Sequence, residues 1–416
     1  MSSDNFPYSR RDFLKTASLL AALSASATAQ TRPKKPGYPF VDGLCLDILE
    51  RPQDIRASGL TALIADVSGY EAIPTADGSP KWQRTLNATL HSVVAMRRKL
   101  RQMPELLLAT DGRQIDKAFK DGKTAVFLQV QGGGEIVGED LSRIDLLREL
   151  GLRVLQITHH HNNPLGGGGL ERTLSGLTRL GFEAVERMNA LGVIPDLSHA
   201  SDQTGFDTLK ASRRPVIISH GAARALVNNG RCTPDQLIRG VADSGGVMGI
   251  FMMSFWLTTE AVPTVESYLR QIRHVFKVGG VDAVGIANDF PLSGERSLIE
   301  ANGNNAEAVK NYLAWWDSIA RLGVLGFDRR PAHVAIPELN NIRRIHTIHE
   351  ALLKDGFKPR EIEKIMGGNW IRVLTESAAW PVWTTHSRPS PPPPRDSFSP
   401  AGRELSPRCA GTRCPN

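Results

Sequence analysis

The sequence predicts an α/β chain folded as a (β/α)8 TIM barrel. Two observations carry the prediction: eight short apolar runs rich in Val, Ile and Leu, and amphipathic stretches of helical period between them. A third agrees with them. Polar residues gather just after the runs, and a parallel barrel collects its strand ends on one face. At 416 residues the chain has room for a barrel of about 250 residues with insertions and tails.

The expected strands are Phe40–Leu46, Leu60–Val67, Thr124–Val130, Arg153–Thr158, Val193–Ser198, Val216–Ser219, Gly246–Phe251 and Ala283–Ile286. Most are nearly continuous in apolar residues, as parallel strands covered on both faces must be. Leu141–Leu150, Leu177–Leu191 and Thr233–Ala242 show the helical spacing expected between them. An open doubly wound sheet is the competing architecture. It needs a glycine-rich phosphate loop after its first strand, and Gly43-Leu44-Cys45 does not supply one.

Gln131 follows the third run, and Thr158-His159-His160-His161-Asn162-Asn163 follows the fourth. His199 and His220 close the fifth and sixth, and Asn288-Asp289 closes the eighth. A single histidine at a strand end usually packs or caps. Several polar ends on one rim point to a site, because burying unpaired polar groups is costly. Strand, helix and parallel strand bring His199 and His220 side by side, as half of a metal site. The run Gly166–Gly169 reads as a flexible turn near the mouth. It lacks the Lys-Ser/Thr partner of a nucleotide loop.

The formal net charge of +7 is diffuse, which argues against nucleic acid as a partner. Cys45, Cys232, Cys409 and Cys414 show neither zinc-finger nor disulfide-framework spacing. Ser9-Arg10-Arg11-Asp12-Phe13-Leu14-Lys15 reads as a twin-arginine export signal, followed by the short apolar stretch Ala17–Ala27. Ala27-Thr28-Ala29 has the small–x–small pattern of a signal-peptidase site. The domain reading is therefore a signal peptide over 1–29, a barrel over 30–376 and a Pro-rich, disordered tail over 377–416. The destination is the periplasm or the exterior of a bacterium, with the twin-arginine machinery as a partner.

Gly151–Asn163, Met188–Ser201, Pro215–Leu226, Asn288-Asp289-Phe290 and Gly367–Val373 together resemble the membrane (renal) dipeptidase family of metallopeptidases. The resemblance covers Pro39 to Glu376. It implies a barrel of the metal-dependent hydrolase type with a two-zinc centre that cleaves dipeptides, including those ending in a D-residue. It makes His199 and His220 ligands of the second metal. His159 becomes the group that polarises the substrate carbonyl, Arg231 the carboxylate-binding arginine, and Asp289 the group that handles the substrate amine and proton transfer.

The chain departs from that pattern at the first metal. Where the family reads Asp-Gly-His-x-Asp, this chain has Asp42-Gly43-Leu44-Cys45-Leu46. Where the family has its bridging glutamate, Gln131 stands. Leucine cannot bind zinc and an amide binds it poorly. Asp47 is one residue too late, which in a regular strand turns it to the opposite face. What remains implies one Zn2+ per chain on His199 and His220. Asp289 is the third ligand or base, and the substrate is a dipeptide or similar small amide. Two other readings stay open: a metal-free relative that binds a small peptide or amino acid through Arg231 and His159, and a hydrolase of a lactone or cyclic amide. The family is often dimeric, so a homodimer is the expected assembly.

Overall fold

A computed structural model describes residues 37–46, 48, 52–74, 80–294, 306–321 and 323–378. These fall within one compact unit that runs to Trp380. The twin-arginine segment, the signal-peptidase pattern, Asp47, and the Pro-rich stretch with Cys409 and Cys414 lie outside the described residues.

The strands are β1 (Val41–Leu46), β2 (Ala62–Asp66), β3 (Tyr70–Pro74), β4 (Pro80–Arg84), β5 (Leu106–Leu108) and β6 (Thr124–Val130). They continue with β7 (Leu152–Gln156), β8 (Ile194–Asp196), β9 (Ile218–Gly221), β10 (Met248–Ile250), β11 (Val284–Ile286) and β12 (Phe290–Pro291). Each of the eight expected runs holds one strand of the ring: β1, β2, β6, β7, β8, β9, β10 and β11. Hydrogen-bonded neighbours run β12-β1-β2-β6-β7-β8 in one sheet and β9-β10-β11 in another. The pairings within these two paths are parallel.

The two sheets meet at two seams. At one, Asp196 and Ile217 form a parallel bridge, with Leu197 N–H donating to Ile217 O at 2.8 Å and Ile217 N–H to Pro195 O at 3.0 Å. At the other, the segment that leaves β11 continues into β12, which pairs with β1, and Asp289 N–H donates to Leu44 O at 3.1 Å. The result is the (β/α)8 architecture, with helices such as Ser142–Glu149, Arg179–Leu191 and Asp235–Asp243 where helical spacing placed them.

Two features were not expected. β3 and β4 form an antiparallel hairpin between β2 and its helix Leu86–Gln102. Tyr70, Ile73 and Trp82 on it are exposed, so it carries no alternating buried face to read. The short β5 pairs with the start of β6 outside the main strand order.

Alternation along each strand sorts side chains into two cores. Ala62, Ile64, Ala125 and Phe127 belong to one cluster, and Leu63, Ala65, Val126 and Leu128 to the other, under the helices. The first cluster is the barrel interior, and Trp370 from the helix Asn369–Ala378 fills it. A Cβ on Gly43, Gly249 or Gly285 would lie 2.2, 3.0 or 2.6 Å from the Trp370 ring. These glycines of β1, β10 and β11 make room for the indole. Its Nε1–H donates to Ile286 O at 3.0 Å, and Asn369 Nδ2 donates to Val281 O and Val284 O at 2.7 and 2.8 Å. The Gly-Gly-Asn-Trp sequence is thus the plug of the barrel.

β1 is bulged. Asp42 pairs with Leu63 and Cys45 with Ala65, so three steps on β1 face two on β2. After the bulge Leu44 and Leu46 join the interior cluster and Cys45 the outer one. Among the described residues no helix is long and apolar enough to cross a membrane.

Replacing the plug should expose how much the barrel depends on it. Trp370→Ala is expected to cost about 3–5 kcal/mol, as large aromatic truncations in a packed core do. Equilibrium denaturation with urea measures this as a lower midpoint.

Candidate active site

The C-terminal strand ends carry the expected residues. After β8 the chain turns sharply: Asp196 Oδ1 accepts from Ser198 N–H at 2.9 Å and from Ser198 Oγ–H at 2.8 Å. The turn leaves His199 at φ 67°, and Asp289 between β11 and β12 has φ 54°. Among the described residues no other non-glycine residue has a positive φ. Such strain costs on the order of 1–3 kcal/mol and persists where surrounding contacts impose it.

One such contact comes from the glycine run. Gly169 N–H donates to His199 O at 2.7 Å, and Gly168 forms a bridge with Ala200. A Cβ on Gly168 would lie 2.4 Å from His160 O, and one on Gly167 2.2 Å from Ser175 O. The run was expected to be a flexible turn. It is instead a tightly packed segment whose glycines permit close backbone approach.

The histidines form a tight group. His199 Nε2 lies 2.8 Å from His220 Nε2, and His199 Nδ1 lies 3.2 Å from His160 Nδ1. The His159 ring stacks on His199 with centroids 4.0 Å apart. His220 Nε2 is 3.8 Å from Asp289 Oδ2. Burial holds all four imidazoles well below the usual histidine range, and the positive charge of Arg231 adds to the effect. They are neutral at physiological pH, the form that ligates metals.

The proton on His220 can be placed. Ser219 Oγ–H donates to Asp196 Oδ2 at 2.6 Å, so Ser219 Oγ accepts from His220 Nδ1–H at 2.9 Å. The lone pair of His220 Nε2 therefore points at His199. Two imidazole nitrogens on one tetrahedral zinc stand about 3.3 Å apart. The His199–His220 pair needs to open by only about half an ångström to fit one.

Around the pair the other expected residues gather. Arg231 is buried; its Nη2–H donates to His220 O at 3.1 Å, and its guanidinium lies 5.2 Å from the Phe251 ring centroid and 5.4 Å from that of Trp256. Burial lowers its pKa to about 10, so it stays charged, and its Nε has no hydrogen-bond partner. Burial pushes Asp289 up to about 7, against the opposing pull of Arg231.

The expected positions of a first metal do not fit one. Leu44 and Leu46 face the aliphatic interior, and Asp42 is engaged in accepting from Asn288 N–H at 3.0 Å and Asn288 Nδ2 at 2.7 Å. Gln131, just after β6, is buried, and its backbone N–H donates to Ser68 Oγ at 2.8 Å.

Sequence reasoning passed over His160. Among the described residues, the triple of potential ligands whose atoms all lie within 4.8 Å of one another is His159, His160 and His199. The histidine run was the available signal, but adjacency alone does not separate His160 from His161, which is exposed and pairs with Glu171 at 3.1 Å. The buried network of Asp196, Ser198, Ser219 and Gln129 was also not read.

Residues 53–315 match the model of the membrane dipeptidase family, peptidase family M19. The chain belongs to this family. It is similar to Dipeptidase tcpJ of Claviceps purpurea (strain 20.1), with 29% identity over 275 residues, 65% of this chain and 55% of that relative. The chain thus spans about half the length of that curated relative. Among solved structures it is similar to an amidohydrolase from Pseudomonas aeruginosa, at 25% identity and TM-score 0.68 over 82% of this chain and 97% of the other. A metallo peptidase from Rhodobacter sphaeroides, liganded with a phosphinate mimic of the dipeptide L-Ala-D-Ala, shares the fold at 17% identity and TM-score 0.62, over 82% and 99%.

Asp289 generates a pH prediction for the metal-depleted member of this family. Its folded pKa of about 7 lies above the unfolded value near 3.8, so the folded state holds a proton that the unfolded state has lost between those values. Stability from this group falls as pH rises through that window and levels off above it. The penalty reaches about 4 kcal/mol on the scale of about 1.36 kcal/mol per pKa unit. Asp289→Asn should therefore gain on wild type as pH rises from 5 to 8, measured by denaturation of chelator-treated protein at each pH.

Proposed function

We propose that the chain is an exported metal-dependent hydrolase that cleaves a dipeptide or similar small amide at a single-ion site. The observation that carries the reading is the His199–His220 pair. Two neutral imidazoles meet at Nε2, and the Asp196–Ser219 network aims one lone pair at the other. Asp289 stands beside them as third ligand or base. A divalent cation bound there supplies a Lewis acid that brings the pKa of water down to about 7.

The chain's own groups then divide the work. Arg231, charged and with an unused Nε, holds the substrate carboxylate against the aromatic wall of Phe251 and Trp256. His159, neutral and stacked on His199, donates an N–H to the carbonyl oxygen as charge develops there. Asp289, with a pKa near neutrality, takes the proton from water and returns it to the leaving amine. The dipeptidase name of the Claviceps relative and the L-Ala-D-Ala mimic on the Rhodobacter peptidase support a dipeptide-sized substrate. The twin-arginine pattern at Ser9–Lys15 supports export to the periplasm, with the twin-arginine machinery as partner. Resemblance to the family supports a homodimer as the assembly.

Leu44, Leu46 and Gln131 favour a second reading, a metal-free relative that binds a small peptide or amino acid through Arg231 and His159. Zinc per chain, measured by elemental analysis, and turnover of L-L and L-D dipeptides separate the two. The proposal expects one ion per chain and loss of turnover in His199→Ala and His220→Ala. A zinc-reconstituted protein that retains no ion overturns it. In the second reading those substitutions leave ligand affinity nearly unchanged.

A further inference from the structure

Resting on the reading that a cation sits between His199 and His220, we propose that His160 is the positioning residue that accepts the Nδ1–H of His199 when the ion takes the Nε2 lone pair. A neutral imidazole has one N–H and one lone pair. His220 is committed at Nδ1 to Ser219, so its Nε2 brings only a lone pair to the 2.8 Å contact with His199. With no ion between them, His199 must supply the proton from Nε2. Its Nδ1 then accepts, and His160 Nδ1–H donates across 3.2 Å.

A cation between the two Nε2 atoms reverses this order. His199 must present a lone pair at Nε2, so its proton moves to Nδ1. That proton faces His160 Nδ1, which becomes the acceptor with its own proton on Nε2. No proton is gained or lost overall; both rings exchange tautomers. His160 is partly exposed, so the exchange has a route to solvent. A metal-bound histidine commonly donates its other N–H to a carboxylate or a backbone carbonyl. Here a second imidazole takes that place, with its Nδ1 facing that of His199 at 3.2 Å.

The ring is held for the purpose. Leu170 N–H donates to His160 O at 3.1 Å, and Gly168 packs against that carbonyl so closely that a Cβ would be 2.4 Å from it. The rings of Trp256 and Phe327 meet the His160 ring edge-on, at 62° and 86° to it, both with centroids 6.0 Å away. The same glycine segment fixes His199 through Gly169 N–H. One stretch of backbone therefore sets the distance between the two Nδ1 atoms.

The test is zinc affinity by chelator competition, with ring-nitrogen NMR of the histidines, in His160→Leu and His160→Asn. Leucine removes the acceptor; asparagine puts Oδ1 near where Nδ1 stood. His160→Leu is expected to bind zinc about 10- to 100-fold more weakly while still taking one ion at saturation. His160→Asn is expected to recover most of that loss. In the zinc-loaded wild type the His199 Nδ1 signal is expected to be that of a hydrogen-bonded N–H. Matching melting curves of the zinc-free variants establish that the fold is intact. Unchanged affinity in His160→Leu overturns the proposal, as does equal loss in both variants. A His160 nitrogen bonded directly to the ion, as opposed to one that only changes tautomer, also overturns it, since His160 would then be a ligand. A wild type that binds no zinc overturns the functional reading as well, whereas zinc binding indifferent to position 160 overturns this inference alone.

Discussion

Asp196 is the carboxylate on which the architecture and the site both depend. It is buried at the end of β8, where the two sheets of the ring meet, and burial raises its pKa. Leaving such a group unpartnered would be costly. Five donors answer it: the backbone and hydroxyl of Ser198, the backbone and hydroxyl of Ser219, and Gln129 Nε2 at 2.9 Å. Those donors come from beyond β8 itself, from β9 and from β6. One side chain therefore joins strands that share few backbone bonds at the seam, bends the chain into the turn that strains His199, and orients His220 through Ser219.

From that node outward, the electrostatics are consistent. Four imidazoles are kept neutral by burial, one guanidinium stays charged, and one carboxylate is poised near neutrality. Groups of such different charge preference, crowded at one rim, make a poor packing solution and a good reaction site. The leucines at positions 44 and 46 close the other side with aliphatic surface. Losing the acidic ligands together with the ion they would hold leaves no buried charge without a partner there.

Much of this was legible in the residues. The eight barrel strands could be read because each is an apolar run buried on both faces, a pattern that depends little on context. His199, His220 and Asp289 could be placed because strand ends of a parallel barrel share one rim, whereas Arg231, in the loop beyond β9, came only from the resemblance to the dipeptidase family. The β3–β4 hairpin could not, because Tyr70, Ile73 and Trp82 face outward and show no buried period. The bulge in β1 is a matter of register between distant strands, invisible in local sequence. The glycine run was read as freedom when it is close contact; which one a glycine serves is decided by what lies across from it. His160 was overlooked because its significance is the direction of a ring nitrogen, and tautomers leave no mark on sequence.

The indole at the centre of the barrel has a bearing on how the chain reaches its native state. Trp370 belongs to the last described helix, yet it rests on glycines of β1, β10 and β11. The interior cannot be sealed until the helix Asn369–Ala378 has packed back against β1, far earlier in the chain. Closing so long a loop is entropically costly and slows folding. A chain of this design completes its core only when two of its most widely separated described elements meet.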